Sequence, residues 1–444
     1  MSTIPGEIDT DRQPPMTIPL RHFLVGLGLL VASGLVVVGR ALGAVPVGGS
    51  LAHVHLLLAG WVCVTIMGAM TQFVPVWSNV ALYSRRLAAA QLWLVTAGVG
   101  GMAATMAAGR WGWIHAFGGL ALLGFWTFAY NLGRTLGPAR PWDVTERHFA
   151  FALALVVVVP VLGFALALDY SSPLFLDLPV TRTGVLGAHA TLAVFGVVLG
   201  TVVGALYQLA TMFTQTDLDA VDRGIQRVEA VGYPVGVLAL AGGRLVANPA
   251  VARAGGLLVA ASLLGVGVVL ARRLVAAQVE WTPVLSRYAV VAVALAVWAP
   301  LAARTWLADP LSVTALLGGP SFHLLALGVV GFVVCGTVYH VVPFIVWVHR
   351  YSDRIGYEQV PMVDDLYDGR LAAADFAALS AGTAGLVLAE TLGLSAAVTA
   401  AAGGLATVGF VLFAANVVLV VREHSPHSLG GVLVARVADD EEPA

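Results

Sequence analysis

The chain has 444 residues, 59% of them hydrophobic and only 11% charged. A soluble domain carries roughly 25% charged residues, so this composition, with a mean hydropathy of +0.89, excludes a soluble globular protein and indicates an integral membrane protein. The net charge of −2 leaves no electrostatic basis for a nucleic-acid partner.

Residues 1–18 are polar and proline-containing and read as a cytoplasmic N-terminal segment. The apolar run that follows is too long for the core of a signal peptide, so it is expected to stay as a helix. Runs of about 20 apolar residues, long enough to cross a bilayer, fall near 19–43, 51–77, 86–108, 112–134, 148–168, 184–213, 228–247, 250–271, 286–306, 320–348, 374–393 and 396–421. The expected fold is therefore an all-α membrane domain over 19–421, with twelve transmembrane helices in three pseudo-repeated arcs of four. A cytoplasmic tail, 422–444, ends in the acidic run Asp439–Glu442.

All 23 basic residues are arginine; none is lysine. With the N-terminus inside, 17 arginines fall in inner segments (Arg85, Arg86, Arg272 and Arg273 among them) and only 6, such as Arg40 and Arg182, at outer ends. Basic residues accumulate on the cytoplasmic side, which places both termini there and the protein in the plasma membrane. The mixed charges of 214–227 and 349–373 read as solvated loops. Cys63 and Cys335 fall inside apolar runs, with no metal-type spacing, and read as packing residues.

The second, sixth and tenth runs share a punctuation. His55 is followed at +5, +13 and +20 by Gly60, Gly68 and Pro75, and His323 at the same offsets by Gly328, Gly336 and Pro343. His189 has Gly196, Gly204 and Gln208 at +7, +15 and +19, as His53 has Gly60, Gly68 and Gln72. One unit is thus repeated three times. Its histidines open helices that enter from the outer side, as does His115 of the fourth run. Ionisable side chains in a membrane are costly and mark function by default, and imidazole is the usual haem-iron ligand. His53 and His55 are two residues apart and point to nearly opposite sides of a helix, so only one of them can face a given metal. His340 is expected to be a hydrogen bonder near the inner side. Gly196, Gly200 and Gly204 form a small-residue ridge for close helix approach. Asp375, Glu390 and Glu229 are placed at span ends, leaving no mid-membrane carboxylate relay and no proton pump.

Twelve spans in three arcs, with histidines opening the second, sixth and tenth, resemble catalytic subunit I of the haem-copper oxidase superfamily, which includes cytochrome c oxidases and nitric oxide reductases. Ala52-His53-Val54-His55 through Phe73-Val74-Pro75 looks like that family's second helix, and Phe322-His323 through His340-Val341-Val342-Pro343 like its tenth. The resemblance implies a low-spin b-type haem held by His323 and by His53 or His55. It also implies a small electron-carrying membrane subunit, or a cytochrome or cupredoxin donor.

The departures are as informative. Ser321 stands where the family's high-spin haem ligand belongs. His189 takes the place of a copper ligand, but Ala190 and Thr191 replace the proline and glutamate that follow it, and Val228–Val246 holds no histidine. A copper ion that wants three imidazoles is left without them. The expected function is one-electron, respiratory-type transfer through a bis-histidine haem. Two alternatives stand beside it. One is an oxidase- or nitric oxide reductase-like enzyme whose second metal is held by His189 with His115 or the spare member of His53/His55. The other is a haem-free copper-handling, sensing or transport protein.

Overall fold

The computed structural model describes residues 14–46, 48–313 and 319–434. The leading polar residues, including Arg12, and the acidic run Asp439–Glu442 lie outside these. The described residues form long helices with no β-strand among them: α1 Thr17–Arg40, α2 Gly49–Trp77, α3 Arg85–Ala107, α4 Trp111–Ala139, α5 Val144–Leu168, α6 Arg182–Thr214, α7 Ala220–Leu245, α8 Pro249–Val275, α9 Pro283–Ala308, α10 Pro320–Arg354, α11 Gly369–Thr391 and α12 Ala396–His424, then the short α13 Leu429–Val434. Eleven of these are long and apolar enough to cross a membrane; α7 falls below that measure because its first ten residues hold Asp222, Arg223, Arg227 and Glu229.

Several helices begin earlier than the apolar runs suggest, and capping explains it. Asp143 and Glu146 form a reciprocal capping box at the start of α5, as do Asp219 and Asp222 at the start of α7. A capping side chain satisfies backbone N–H groups that the first turn leaves without partners. These polar first turns are helical although no apolarity count includes them. Thr181 and Thr282 cap α6 and α9 through a side-chain oxygen in the same way.

Successive helices pack as neighbours, most closely in the pairs α3–α4, α7–α8 and α11–α12, and α12 returns to α1. The Arg21 Nε donates to the Val432 carbonyl at 2.9 Å, so the described start and end of the chain share one face. The innermost helices are α2, α6 and α10, with 72%, 89% and 83% of their apolar stretches buried against at most 56% elsewhere. Each contains a wide π-helical segment: Leu56–Val62, Leu192–Leu199 and Leu324–Gly331. π-Turns cost backbone geometry and concentrate at functional sites.

Of the ridge glycines, Gly196 and Gly204 lie where a Cβ would clash, with Leu155 and His148 respectively, while Gly200 has ordinary clearance; Gly68 of α2 is as tightly placed. A Cβ on Gly204 would come within 2.6 Å of the His148 Cβ, and one on Gly68 within 2.6 Å of the His22 Cβ. Both cysteines are buried and free.

Two sequence expectations do not hold. Glu229 and Asp375, expected at span ends, lie instead at the tenth residue of α7 and the seventh of α11, and both are buried. Hydropathy windows miss them because their helices start one to two turns earlier than the apolar runs. His340 has no hydrogen-bond partner among the described residues; its ring packs edge-on to Phe213, with centroids 4.7 Å apart, and lies parallel to Phe344.

Candidate functional site

The second turns of α2 and α6 and the first turn of α10 carry His53 and His55, His189, and His323 respectively. Each has its Nδ1 engaged, two by backbone carbonyls, one by a carboxylate and one by a hydroxyl. His55 Nδ1 lies 2.8 Å from the Leu51 carbonyl one turn back, and His189 Nδ1 lies 3.0 Å from the Val159 carbonyl of α5. A carbonyl only accepts, so both rings must carry the proton on Nδ1. His323 Nδ1 sits 2.9 Å from the Glu390 carboxylate of α11, which fixes the same tautomer. The Ser33 hydroxyl of α1 donates to the His53 carbonyl at 3.2 Å and therefore accepts from His53 Nδ1 at 2.7 Å. All four rings are left with an Nε2 lone pair that no protein donor engages. An Nδ1–H held by a carbonyl, hydroxyl or carboxylate is the outer-shell arrangement that orients a ligating imidazole and raises its basicity.

The four fall into two pairs. His53 and His323 are close enough to sense one another electrostatically, and Arg40 of α1 lies within the same reach. His55 and His189 form a second neighbouring pair. They line one cavity of about 290 Å³ between α2, α3, α4, α5 and α6, walled by apolar side chains such as Met102, Phe125 and Phe164. The two-residue offset thus sends His53 and His55 to different partners, as helical geometry requires. His115 belongs to neither pair. It sits beside Ser171, with Nδ1 3.2 Å from the hydroxyl, and is not among the cavity's walls.

Among the described residues no three histidine, cysteine, aspartate or glutamate side chains converge as a metal-binding group. What the fold supplies is pairs. No protein-family model matches the chain, and no curated protein matches its sequence. The chemistry therefore has to be argued from the donors. Two neighbouring imidazoles, each with an unengaged Nε2, are the set that a six-coordinate haem iron requires, so the residues present fit that group.

Two buried networks escaped the sequence reading. His148 of α5 has both ring nitrogens engaged, Nδ1 by the Val144 carbonyl at 2.8 Å and Nε2 by Glu229 at 3.1 Å, and the Tyr207 hydroxyl donates to the same carboxylate at 3.0 Å. Arg287 of α9 pairs with Asp375, which also accepts from the Tyr339 hydroxyl; Asn416 donates to that hydroxyl at 3.0 Å. The only signal in the sequence was spacing. His22, His148 and Arg287 each sit about one turn into a helix, packed on Gly68, Gly204 and Gly336 respectively.

Proposed function

We propose that this protein is a twelve-span electron-transfer membrane protein that binds a low-spin b-type haem between α2 and α10, ligated by His53 and His323. The observation that carries the reading is that His53 and His323, near the starts of α2 and α10, each have Nδ1 engaged by a neighbouring helix, Ser33 of α1 and Glu390 of α11, so that Nε2 is free on both. On this reading α7 is the twelfth crossing, its charged first turns lying in the headgroup region, and the helices form three arcs of four. Both termini face the cytoplasm, the histidines lie near the outer side of the plasma membrane, and the donor is a small cytochrome, cupredoxin or membrane subunit.

A bis-imidazole haem supplies one-electron transfer and has no open coordination position. The protein's own residues do the rest. Ser33 and Glu390 hold the two rings in one tautomer and one orientation, and the Glu390 carboxylate adds electron density to His323. Arg40 provides a cation beside His53 to meet a ring carboxylate. The oxidase-type alternative keeps one of its two ligand pairs, because His189 shares a cavity with His55, the member of His53/His55 left over from the haem, and not with His115. Two imidazoles remain one short of the three that its copper wants, and Ser321 and Thr191 do not supply another.

The visible spectrum of the purified protein tests this. A low-spin Soret and a sharp α-band, with a component lost in His53→Ala and in His323→Ala, are the expected result. A folded preparation whose spectrum is unchanged by either substitution would overturn it.

A further inference from the structure

The spacing of the three inner helices relates the two histidine pairs to each other. Aligned on Gly60, Gly196 and Gly328, the position seven residues earlier is His53, His189 and Ser321, and the position five earlier is His55, Thr191 and His323. The π-helical segments begin in the same register, at Leu56, Leu192 and Leu324, three residues after the first set. The first pair therefore joins the later position of α10 to the earlier position of α2. His55 and His189 repeat that relation one helix on, joining the later position of α2 to the earlier position of α6. The third combination would be Thr191 with Ser321, neither of which ligates iron; Thr191 Oγ instead accepts from Arg244 at 2.8 Å.

We propose that the cavity lined by His55 and His189 is a second haem site, independent of the first, ligated by these two imidazoles. Four observations support it beyond the register. Both rings have Nδ1 bonded to backbone carbonyls and Nε2 unengaged, and both line the same cavity. That cavity, at about 290 Å³, is far larger than a metal ion and its waters need, since one water takes roughly 10–15 Å³ of such space. Its walls are apolar, as a macrocycle requires, with Arg182 at one side. The Arg182 guanidinium lies 4.6 Å from the centre of the Tyr170 ring and is held by Asp169 at 2.7 Å, a fixed cation for the porphyrin's two carboxylates. Finally, Gly163 is the only residue type that leaves the His189 ring where it is, because a Cβ there would lie 2.9 Å from its Cε1.

This site deepens the electron-transfer reading but rests on different ligands, so the two can fail separately. The experiment is haem content per polypeptide, from the pyridine haemochrome, together with a potentiometric titration of the detergent-purified full chain. Wild type is expected to carry two haems and titrate in two steps. His55→Ala and His189→Ala should each carry one and keep the component that His323→Ala removes. Gly163→Leu, which retains both histidines but crowds the His189 ring and fills the cavity, should also drop to one; retained helicity and a monodisperse elution profile confirm that each variant is folded. One haem in wild type, unchanged in His55→Ala and Gly163→Leu, overturns the second site and leaves the first standing. One haem that depends on His55 and not on His323 keeps this site and removes the other. A folded chain without haem removes both. Carbon monoxide should leave the reduced spectrum unchanged, because neither iron would have an open position; a five-coordinate response from the His55/His189 component would also overturn the proposal.

Discussion

The two ends of the helix bundle differ in what surrounds their buried polar side chains. At one end His53, His55, His189 and His323 each engage a single nitrogen, and Nε2 is left to a cavity or a neighbouring ring. At the other end, His148 has both nitrogens bonded and Asp375 is closed in by Arg287, Tyr339 and Asn416. Gly204, on which His148 packs, lies fifteen residues beyond His189 in α6, about 22 Å along the helix axis. An imidazole nitrogen that faces a cavity can take a ligand, whereas one closed in by a carboxylate serves the structure. The second nitrogen alone does not separate the two cases, because His22 beside Gly68 also has Nδ1 on a backbone carbonyl and Nε2 unengaged; what His55 and His189 have in addition is a shared cavity.

The largest effects should separate the ends completely. His323→Ala is expected to eliminate one haem component while the melting temperature of the apoprotein moves little, read by absorbance and by circular dichroism. At the other end, Asp375→Ala leaves the Arg287 guanidinium buried with its charge uncompensated, a change that typically costs about 3–5 kcal/mol. Its thermal midpoint should fall sharply while the haem spectrum of the surviving folded fraction keeps its band positions. If Asp375→Ala instead changed the bands without affecting stability, the comparison would fail.

A smaller effect sharpens the comparison at the ligand end. Glu390→Gln keeps a hydrogen bond to His323 Nδ1 but removes the negative charge that favours ferric iron. Outer-shell losses of about tenfold in affinity are typical, and a tenfold difference between redox states is 59 mV for one electron. The reduction potential of the His53/His323 component is therefore expected to rise by roughly 60 mV, and an unchanged or lowered potential would show that the carboxylate does not act through the iron.

The smallest effect concerns pH. The backbone N–H groups of Leu174 and Phe175, with the Arg182 guanidinium, hold the Asp169 carboxyl below the usual carboxylate range. A depressed folded pKa stabilises at pH values above the unfolded one, near 3.9, and the contribution is lost as pH falls through the folded value. Arg182 and the 169–175 turn should therefore loosen only in strong acid, seen as faster haem loss from the His55/His189 cavity below about pH 4. Asp169→Asn should bring the same loss to neutral pH.

Much of this was legible in the chain itself. The apolar runs gave eleven of the membrane-length helices, and the offsets from His53, His55, His189 and His323 to their glycines marked the three inner ones. The separation of His53 from His55 also followed from helical geometry. Which partner each would meet did not, because that depends on how α2 turns between α6 and α10. The networks around Glu229 and Asp375 were hidden for a related reason: capping by Asp219 and Asp368 extends their helices over polar residues, so apolarity alone put these carboxylates at the ends.

The sequence by itself determined a membrane-embedded bundle, its inner helices and the four histidines near their starts, since hydrophobicity and periodicity are local properties of the chain. Only the tertiary structure decided that the four imidazoles meet two by two, which nitrogen each one keeps free, and that one pair opens onto a cavity. Those outcomes depend on the acceptors Ser33, Leu51, Val159 and Glu390, three of them brought by other helices, and packing alone brings those helices within hydrogen-bonding distance.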